Sequence, residues 1–366
     1  MTSVIKDVTN KAFDGCDSVV LLDSDRDVRI LQLTDMQVID ASQMRTPDRL
    51  RIDEINAWSR DNFDVQLGNH IRSLVTQSNP DLIFITGDMV YGSFDDSGEA
   101  FVWFVDLMES FGIPWAPVFG NHDNETNMGV KWQCDLLENA KNCLFKRGNV
   151  TGNGNYTVGI AYGDTLKRVM YMTDSNGCGA HTSDSEGTRE EGIFPDQLDR
   201  IRESAKKIKN AQGHAVKGLM AFHIPTKEFV EIGKAKGYSD DGYDYIIGVT
   251  AEAKDGDFGF CGKERIRGID IGDAYAFCKE NCIDSMFVGH IHSTCTRILY
   301  NDILWVYGLK TGQYDSHVPG SLGGTLVVDN GEALAVTHIP SLVPFGPCTG
   351  QARYFKGFFA EDKVLL

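Results

Sequence analysis

The chain has 366 residues, of which 42% are hydrophobic and 24% are charged. These ordinary globular values exclude a disordered or low-complexity protein, and no apolar stretch approaches the roughly 18 residues of a membrane helix. Its 52 acidic residues outnumber its 35 basic ones, so the net charge is −17. Such a balance argues against binding to a nucleic-acid polymer or an anionic membrane, and it suits a protein that binds cations.

The start of the chain and its cysteines favour a cytosolic protein. The first residues, MTSVIKDVTNKAFDG, lack the apolar core of a signal peptide. The nine cysteines are odd in number and form no C-x-x-C pair, so they imply neither a disulfide framework nor a zinc ribbon. We therefore expect a cytoplasmic protein without a membrane span, whose cysteines are reduced and buried.

In the first half of the chain, predicted strands alternate with predicted helices. Short apolar runs predict buried strands at 28–34, 82–86 and 115–119. Apolar residues at helical spacing predict helices near 63–75, 99–111 and 130–140. Each of the three strands runs directly into polar residues, so the chemically interesting positions follow strand ends.

The second half contains more consecutive strands. They are predicted at 155–162, 168–173, 217–222, 284–288, 296–300, 303–307, 323–328 and 333–339, with helices near 195–210, 227–236 and 270–281. Early alternation followed by consecutive strands predicts an α/β fold, a two-sheet mixed β-sandwich flanked by helices. Without a linker or repeat, we expect a single domain over residues 1–366. The acidic, aromatic and glycine-rich segment 238–262 has no assignable order and suits a substrate lid.

Metal-binding residue types follow five of the predicted strands. They are Asp35, Asp88, the triplet Asn121, His122 and Asp123, then His223, and finally His290 and His292. In open α/β sheets, ligands bind at the carboxyl ends of strands, so these residues are expected to converge. Carboxylates and imidazoles together suit a pair of first-row metal ions. The glycines beside Asp88, Asn121 and His290 are expected to let the backbone turn sharply.

The ordered set D…GD…GNHD…H…GHxH resembles the calcineurin-like metallophosphoesterase superfamily. The motifs run from Asp35 to His292 and so cover most of the chain. The segments F-H-I-P-T-K-E-F and Y-G-L-K-T-G-Q-Y are also similar to the branch of small purple-acid-phosphatase-related (Dcr2-like) phosphatases. This resemblance implies a four-layer α/β/β/α fold and two metal ions, with Mn, Fe or Zn as the expected metals.

The resemblance also implies a role for each motif residue. Asp88 would bridge the two ions, Asp35 and His292 would hold the first, and a separate set would hold the second: Asn121, His223 and His290. His122 would face the substrate, where it would stabilise charge on the phosphoryl group or protonate the leaving oxygen. Asp123 is expected to be its catalytic neighbour and to orient the loop.

Gln37 stands where the family's first motif carries a histidine. Its carbonyl oxygen is a candidate ligand of the first ion, but a weaker one for Fe or Zn than imidazole. Purple acid phosphatases also lack that histidine and supply a tyrosine three residues after the bridging aspartate, an offset at which this chain has Tyr91. Tyr91 is therefore either a metal-binding phenolate or a packed aromatic residue at a turn.

The sequence thus predicts a dinuclear-metal-dependent hydrolase that cleaves a small phosphomonoester by attack of metal-activated water. One alternative is a phosphodiesterase acting on a nucleotide, a cyclic nucleotide or a phospholipid headgroup. A second alternative is a binding module that keeps the fold with weakened catalysis, which Gln37 favours. The intact cluster of mutually repelling ligands argues against that second reading.

Overall fold

A computed structural model describes residues 2–39, 67–92, 97–177, 190–248, 253–262, 268–313 and 322–343 of the protein. These residues form two β-sheets with helices on their outer faces, which confirms the predicted α/β class. None of the helices in these ranges is both long enough and apolar enough to cross a bilayer. All seven cysteines within the described part of the chain have free thiols, and six of them are buried.

The smaller sheet has five strands and carries the first three motifs. Its strands are β3 (Val28–Leu33), β4 (Leu82–Thr86), β5 (Trp115–Val118), β14 (Gly323–Asp329) and β15 (Leu334–Pro340), in the order β15-β14-β3-β4-β5. The first three of these run parallel, whereas β14 is antiparallel to both of its neighbours. The three predicted strands of the first half are therefore adjacent, and their carboxyl ends meet at one edge.

The larger sheet has ten strands and carries the remaining motifs. They are β1 (Ser3–Ile5), β2 (Ser18–Leu22), β6 (Tyr156–Tyr162), β7 (Thr165–Met172), β8 (Gly218–Ala221), β9 (Tyr245–Ile247), β10 (Phe258–Cys261), β11 (Ile283–Val288), β12 (Cys295–Tyr300) and β13 (Ile303–Tyr307). Their order is β1-β2-β6-β7-β8-β11-β13-β12-β10-β9, with β7, β8, β11 and β13 parallel in the centre. The sequence analysis assigned neither β1 and β2 nor β9 and β10.

Six α-helices complete the described fold. They are α1 (Asn69–Ser78), α2 (Glu99–Ser110), α3 (Val130–Asn139), α4 (Pro195–Gln212), α5 (Lys227–Ala235) and α6 (Ala274–Glu280). All six were predicted, although residues 63–66 of the first prediction lie outside the described ranges. Helix α4 begins with proline, whose missing N–H costs nothing there, and ends at Gly213 in a left-handed conformation.

Two apolar cores show how the layers stack. In β7, Met170 and Met172 belong to the core between the sheets, while Val169 and Tyr171 belong to the core on the opposite face, as period-two alternation requires. The first core also contains apolar residues of α1, α2 and α3, and the second contains those of α4, α5 and α6. The layers are therefore helix, small sheet, large sheet and helix, which is the predicted four-layer arrangement.

A buried ion cluster joins the two sheets at the end away from the motif residues. The fully buried Arg168 side chain of β7 donates to Asp329 at the end of β14, at 2.5 Å from Nε to Oδ2, and to Asp284 in β11 at 2.7 Å from Nη1 to Oδ1. Asp284 lies near the start of β11, whereas His290 and His292 follow its end. The cluster therefore supports the sandwich without taking part in the motif region.

Replacing Arg168 by methionine is expected to lower the free energy of unfolding by about 3–5 kcal/mol, because it leaves the buried carboxylate of Asp329 without its cation. Urea unfolding should show a lower midpoint with an unchanged slope. Arg202→Met is the matched control, since Arg202 is 41% exposed and pairs with Asp199 at the surface. A loss below about 1 kcal/mol at Arg168, comparable to an exposed pair, would contradict a stabilising role for the cluster.

Candidate metal centre

The predicted site residues converge where the strand ends of the two sheets face each other. Asp35 follows β3, Asp88 follows β4, and Asn121 follows β5 in the small sheet, whereas His223 follows β8 and His290 follows β11 in the large sheet. Ligand atoms of Asp35, Asp88 and His223 lie within 4.8 Å of one another, and all three residues are buried. Motif residues that are far apart in the sequence thus lie in one cluster.

Several of the site residues adopt backbone conformations that are uncommon for side-chain-bearing residues. The φ angles are +53° at Asp35, +49° at Gln37, +52° at Asp88 and +70° at His290. Left-handed residues of this kind cost on the order of 1–3 kcal/mol each and persist where the surrounding structure holds them. The strand ends therefore bend at the site residues themselves, which turns these side chains toward a common point.

The neighbouring glycines serve close approach more than turning. Gly87 does have a φ of +87°, as expected for a sharp turn, but Gly120 and Gly289 do not have positive φ angles. A Cβ atom at Gly120 would collide with the Asp88 carboxylate, and one at Gly289 would lie 2.6 Å from Asp35 Oδ2. These two glycines therefore leave room for the carboxylates, which corrects the prediction that they bend the chain.

Asp35 and His292 form one half of the cluster. Nε2 of His292 lies 3.1 Å from Oδ1 of Asp35, and the backbone N–H of His290 donates to both Asp35 oxygens. The hydroxyl of Thr34 donates to Oδ2 at 2.6 Å. Burial opposes ionisation of Asp35, yet the hydrogen bond and charge of His292, with smaller contributions from His223 and Lys310, lower its pKa. Asp35 is thus held as a carboxylate.

The other half of the cluster contains Asp88 together with Asn121, His223 and His290. Nε2 of His223 lies 3.3 Å from Asp88 Oδ2, 3.2 Å from Asn121 Oδ1 and 3.3 Å from His290 Nδ1. Asp88 Oδ1 accepts a hydrogen bond from the backbone N–H of His122 at 2.9 Å. Four potential ligand groups therefore point at one position, with Asp88 shared with the half that contains Asp35.

The two neighbouring imidazoles of the cluster have pKa values shifted in opposite directions. Burial opposes a charged His223, but the negative charge of Asp88 raises the pKa of His223 to about 9. Burial and the neighbouring His223 lower the pKa of His290 to about 3. Two imidazoles this close repel each other when both are positively charged. Metal ligation requires both imidazoles to be neutral and the carboxylates to be ionised, so a bound cation would take the place of the extra proton on His223. The buried group Asp35, Asp88 and His223 therefore offers donor atoms that fit a metal ion, whereas the division of the ligands between two ions stays a prediction.

His122 lies beside the cluster and is held by a residue that the sequence analysis did not single out. Its Nδ1 is 2.7 Å from Oε2 of Glu125, and its ring stacks on Tyr91 with centroids 4.3 Å apart. The Glu125 side chain is fully buried, and its other oxygen has no hydrogen-bond partner within the described ranges. His122 itself is 12% exposed at its side chain. Glu125 therefore fixes the ring of a partly exposed histidine at the edge of the site.

The Asp123 carboxylate is bound by backbone N–H groups of two neighbouring loops. Its oxygens accept hydrogen bonds from the N–H groups of Val90 and Gly120, at 3.0 and 2.8 Å. Burial, followed by the negative charge of Asp88, raises the pKa of Asp123 above its usual range. The residue thus ties the loop after β4 to the loop after β5, whereas a direct catalytic contact stays a prediction.

Gln37 is oriented by a lysine that the sequence analysis also left without a role. The Lys310 ammonium donates to Oε1 of Gln37 at 2.8 Å and to the backbone carbonyl of Asp35 at 2.9 Å. The amide nitrogen of Gln37 then donates to Oδ2 of Asp88 at 3.3 Å. An ammonium only donates and a carboxylate only accepts, so these two partners fix which end of the amide is oxygen. The Gln37 oxygen faces Lys310 in this arrangement.

Tyr91 and the segment 238–262 keep their predicted roles as hypotheses. Tyr91 is 2% exposed, and its ring packs on His122. The described part of the segment contains β9 and β10, which extend the edge of the large sheet. Its last residue, Gly262, donates from its N–H to Thr294 Oγ1, two residues after His292. The segment therefore ends next to the loop that contains His292, and its role as a lid stays a prediction.

Comparison with known proteins identifies a matching family and several relatives. The model of the calcineurin-like phosphoesterase family matches residues 28–294. "Probable inactive purple acid phosphatase 14" of Arabidopsis thaliana is 26% identical over 196 residues, or 47% of this chain and 48% of that protein. "Phosphatase DCR2" of Saccharomyces cerevisiae is 29% identical over 199 residues, or 50% of this chain and 32% of that protein. The chain thus spans about half or less of the length of these curated relatives.

Among solved structures, a dimetal phosphatase from Danio rerio has a similar fold. The TM-score is 0.52 at 10% sequence identity, and the alignment covers 87% of this chain and 99% of that one. At this identity the likeness shows the fold alone. It agrees with the four-layer arrangement derived above from the strand order and the two cores.

Proposed function

Because the chain belongs to the calcineurin-like phosphoesterase family, we propose that it hydrolyses a small phosphomonoester at a dinuclear metal centre. The observation that carries this proposal is the convergence of Asp35, Asp88 and His223 within 4.8 Å, with His122 beside them. A buried cluster of groups that repel or perturb one another has little structural purpose unless a cation joins them. Membership of the family supports phosphoester hydrolysis, and the cluster contains residues that could bind the metal ions this reaction needs.

The candidate ligands form two sets, one for each metal ion. Asp35 and His292 would hold the first, Asn121, His223 and His290 would hold the second, and Asp88 would be shared. Such ions, when bound, neutralise phosphoryl charge and make a water molecule acidic enough to attack. The buried Asp88 backbone, anchored by the N–H of Gln37 on its carbonyl at 2.9 Å, keeps the shared carboxylate in position.

His122 would supply the proton that the leaving oxygen needs. With Nδ1–H donating to Glu125, a neutral ring presents Nε2 as an acceptor, and only the imidazolium can donate from Nε2. The carboxylate of Glu125 stabilises that imidazolium, as a negative neighbour does. His122 is thereby set up to protonate a leaving group, and its charge would also stabilise the phosphoryl oxygens.

Two other functions have specific support. A phosphodiesterase would use the same ligands and differ in residues remote from the metals, with 238–262 as the candidate segment. A module with weakened catalysis is favoured by Gln37, whose oxygen faces Lys310, and the matched Arabidopsis protein is itself named as inactive. The intact pairing of His122 with Glu125 favours the enzyme, because a binding module has no need of a positioned proton donor.

Metal analysis followed by reconstitution tests the proposal. Protein stripped by a chelator and reloaded with Mn, Zn, Fe or Co is expected to hydrolyse an aryl phosphate, and to do so about tenfold or more faster than an aryl phosphodiester. The stripped protein is the control and should be inactive. A clear preference for the diester would replace the monoesterase by the phosphodiesterase. Absence of hydrolysis with all four metals would leave the binding module.

A further inference from the structure

A buried lysine, Lys310, lies next to the first metal position, and neither the motifs nor the proposed function gives it a role. Lys310 lies three residues after β13 and is 1% exposed. Its ammonium contacts Gln37 Oε1 at 2.8 Å and the Asp35 carbonyl at 2.9 Å. A buried cation is costly unless it is paired or satisfied by hydrogen bonds, so its presence beside a cation-binding cluster needs a reason.

Lys310 and Gln37 together form a chain that ends on the shared carboxylate. The ammonium donates to the carbonyl end of Gln37, and the amide end of Gln37 donates to Asp88 Oδ2 at 3.3 Å. The positive charge is therefore two hydrogen bonds away from the residue that both ions would share. Through the Asp35 carbonyl it is also held against the residue that would bind the first ion.

We propose that Lys310 is a positioning residue that weakens the first metal site: it binds the Gln37 oxygen and places a fixed positive charge behind Asp35 and Asp88. This inference rests on the proposed dinuclear centre. It also means that Gln37 would bind Lys310 and would not be a ligand of the first ion. A second cation placed close to an ammonium in a poorly solvated site is repelled by it. The centre then binds one ion tightly, at Asn121, His223 and His290, and the other weakly.

Titration of metal-free protein with Mn²⁺ tests the inference without any measurement of activity. Free Mn²⁺ is counted by electron paramagnetic resonance, and calorimetry gives the two dissociation constants. In Lys310→Met, which keeps an unbranched chain without the charge, we expect the weaker constant to tighten on the order of tenfold or more. The tighter constant should change less, because Lys310 contacts Gln37 and the Asp35 carbonyl, which belong to the first position.

Lys217→Met is the matched control for the loss of one positive charge. Lys217 precedes β8, at the end of that strand opposite His223, and pairs with Glu332 at the surface. Both Mn²⁺ constants should be unchanged in this variant. Circular dichroism and thermal unfolding would establish that each variant is folded.

Lys310→Gln is the second variant if Lys310→Met does not fold, because it removes the charge and keeps a hydrogen-bond donor for the Asp35 carbonyl. The weaker ion should again bind more tightly in this variant. Unchanged or weaker binding of that ion in whichever of the two variants is folded would overturn the role of Lys310. Two ions bound by the wild type with no effect of Lys310 would refute this inference alone, whereas no bound ion would refute the dinuclear centre itself.

Discussion

Replacing Asp88 by asparagine is expected to reduce turnover by about a thousandfold, the equivalent of roughly 4 kcal/mol of transition-state stabilisation by metal ions. Asp88 is the residue both ions would share, and it is the partner of His223 at 3.3 Å. Asparagine preserves the shape and can still accept the hydrogen bond from the His122 N–H. The variant loses the negative charge, and an amide nitrogen replaces Oδ2, the oxygen that faces Gln37 and His223. Metal analysis should therefore show that the variant retains fewer ions than the wild type.

The chain offers a matched control at the other end of the same strand. Asp81 precedes β4 and accepts hydrogen bonds from Arg26 and from the backbone of Arg29, whereas Asp88 follows β4. Asp81→Asn removes one carboxylate from that end and should leave turnover within about twofold, as expected for distant, independent sites. Unchanged hydrolysis by rigorously purified Asp88→Asn would place the active site elsewhere.

The strand-end residues were predictable because two independent local signals coincide at each of them. An apolar run predicts a buried strand, and a metal-binding residue type follows directly, as in LIFIT before Gly87 and Asp88. Parallel strand order then brings the ends together. What the sequence did not show is how the chain turns there, since the left-handed φ angles fall on Asp35, Asp88 and His290 as well as on Gly87.

The supporting residues were harder to predict, for two different reasons. Glu125 follows His122 by three residues in a short 3₁₀ turn, where side chains three apart lie on the same side. That signal was present in N-H-D-N-E and was missed. Lys310 meets Gln37 across 273 positions of sequence. No periodicity or motif spacing specifies such a contact, because it depends on where the loop after β13 meets the residues that follow β3.

The two short strands at one end of the large sheet, β9 and β10, escaped prediction for a related reason. β9 has three residues and β10 has four, and Gly259 within β10 has a φ of +127°. Strands this short do not produce a recognisable alternation of apolar and polar residues. Their position is fixed instead by tertiary contacts, including Asp257, which accepts hydrogen bonds from the hydroxyl of Tyr238 and the N–H of Leu299. Asp257 therefore connects the beginning of the segment to its later part and to β12, which contains Leu299.

Replacing His122 by alanine is expected to lower turnover by about a hundredfold to ten-thousandfold on an alkyl phosphate, and by much less on an aryl phosphate. An alkoxide is a poor leaving group and needs a proton, whereas a phenolate with a low pKa leaves without one. Glu125→Gln should change the two rates in the same direction but more weakly, because it removes the charge that supports the imidazolium and keeps the contact at Nδ1.

The comparison of leaving groups separates the two roles considered for His122. Equal losses on the alkyl and aryl substrates would show that the ring stabilises phosphoryl charge and does not protonate the leaving oxygen. Full activity of Glu125→Gln on both substrates would show that the buried carboxylate has no positioning role. Because neither His122 nor Glu125 belongs to the expected ligand set, both variants should bind the same number of metal ions as the wild type, which distinguishes their defect from that of Asp88→Asn.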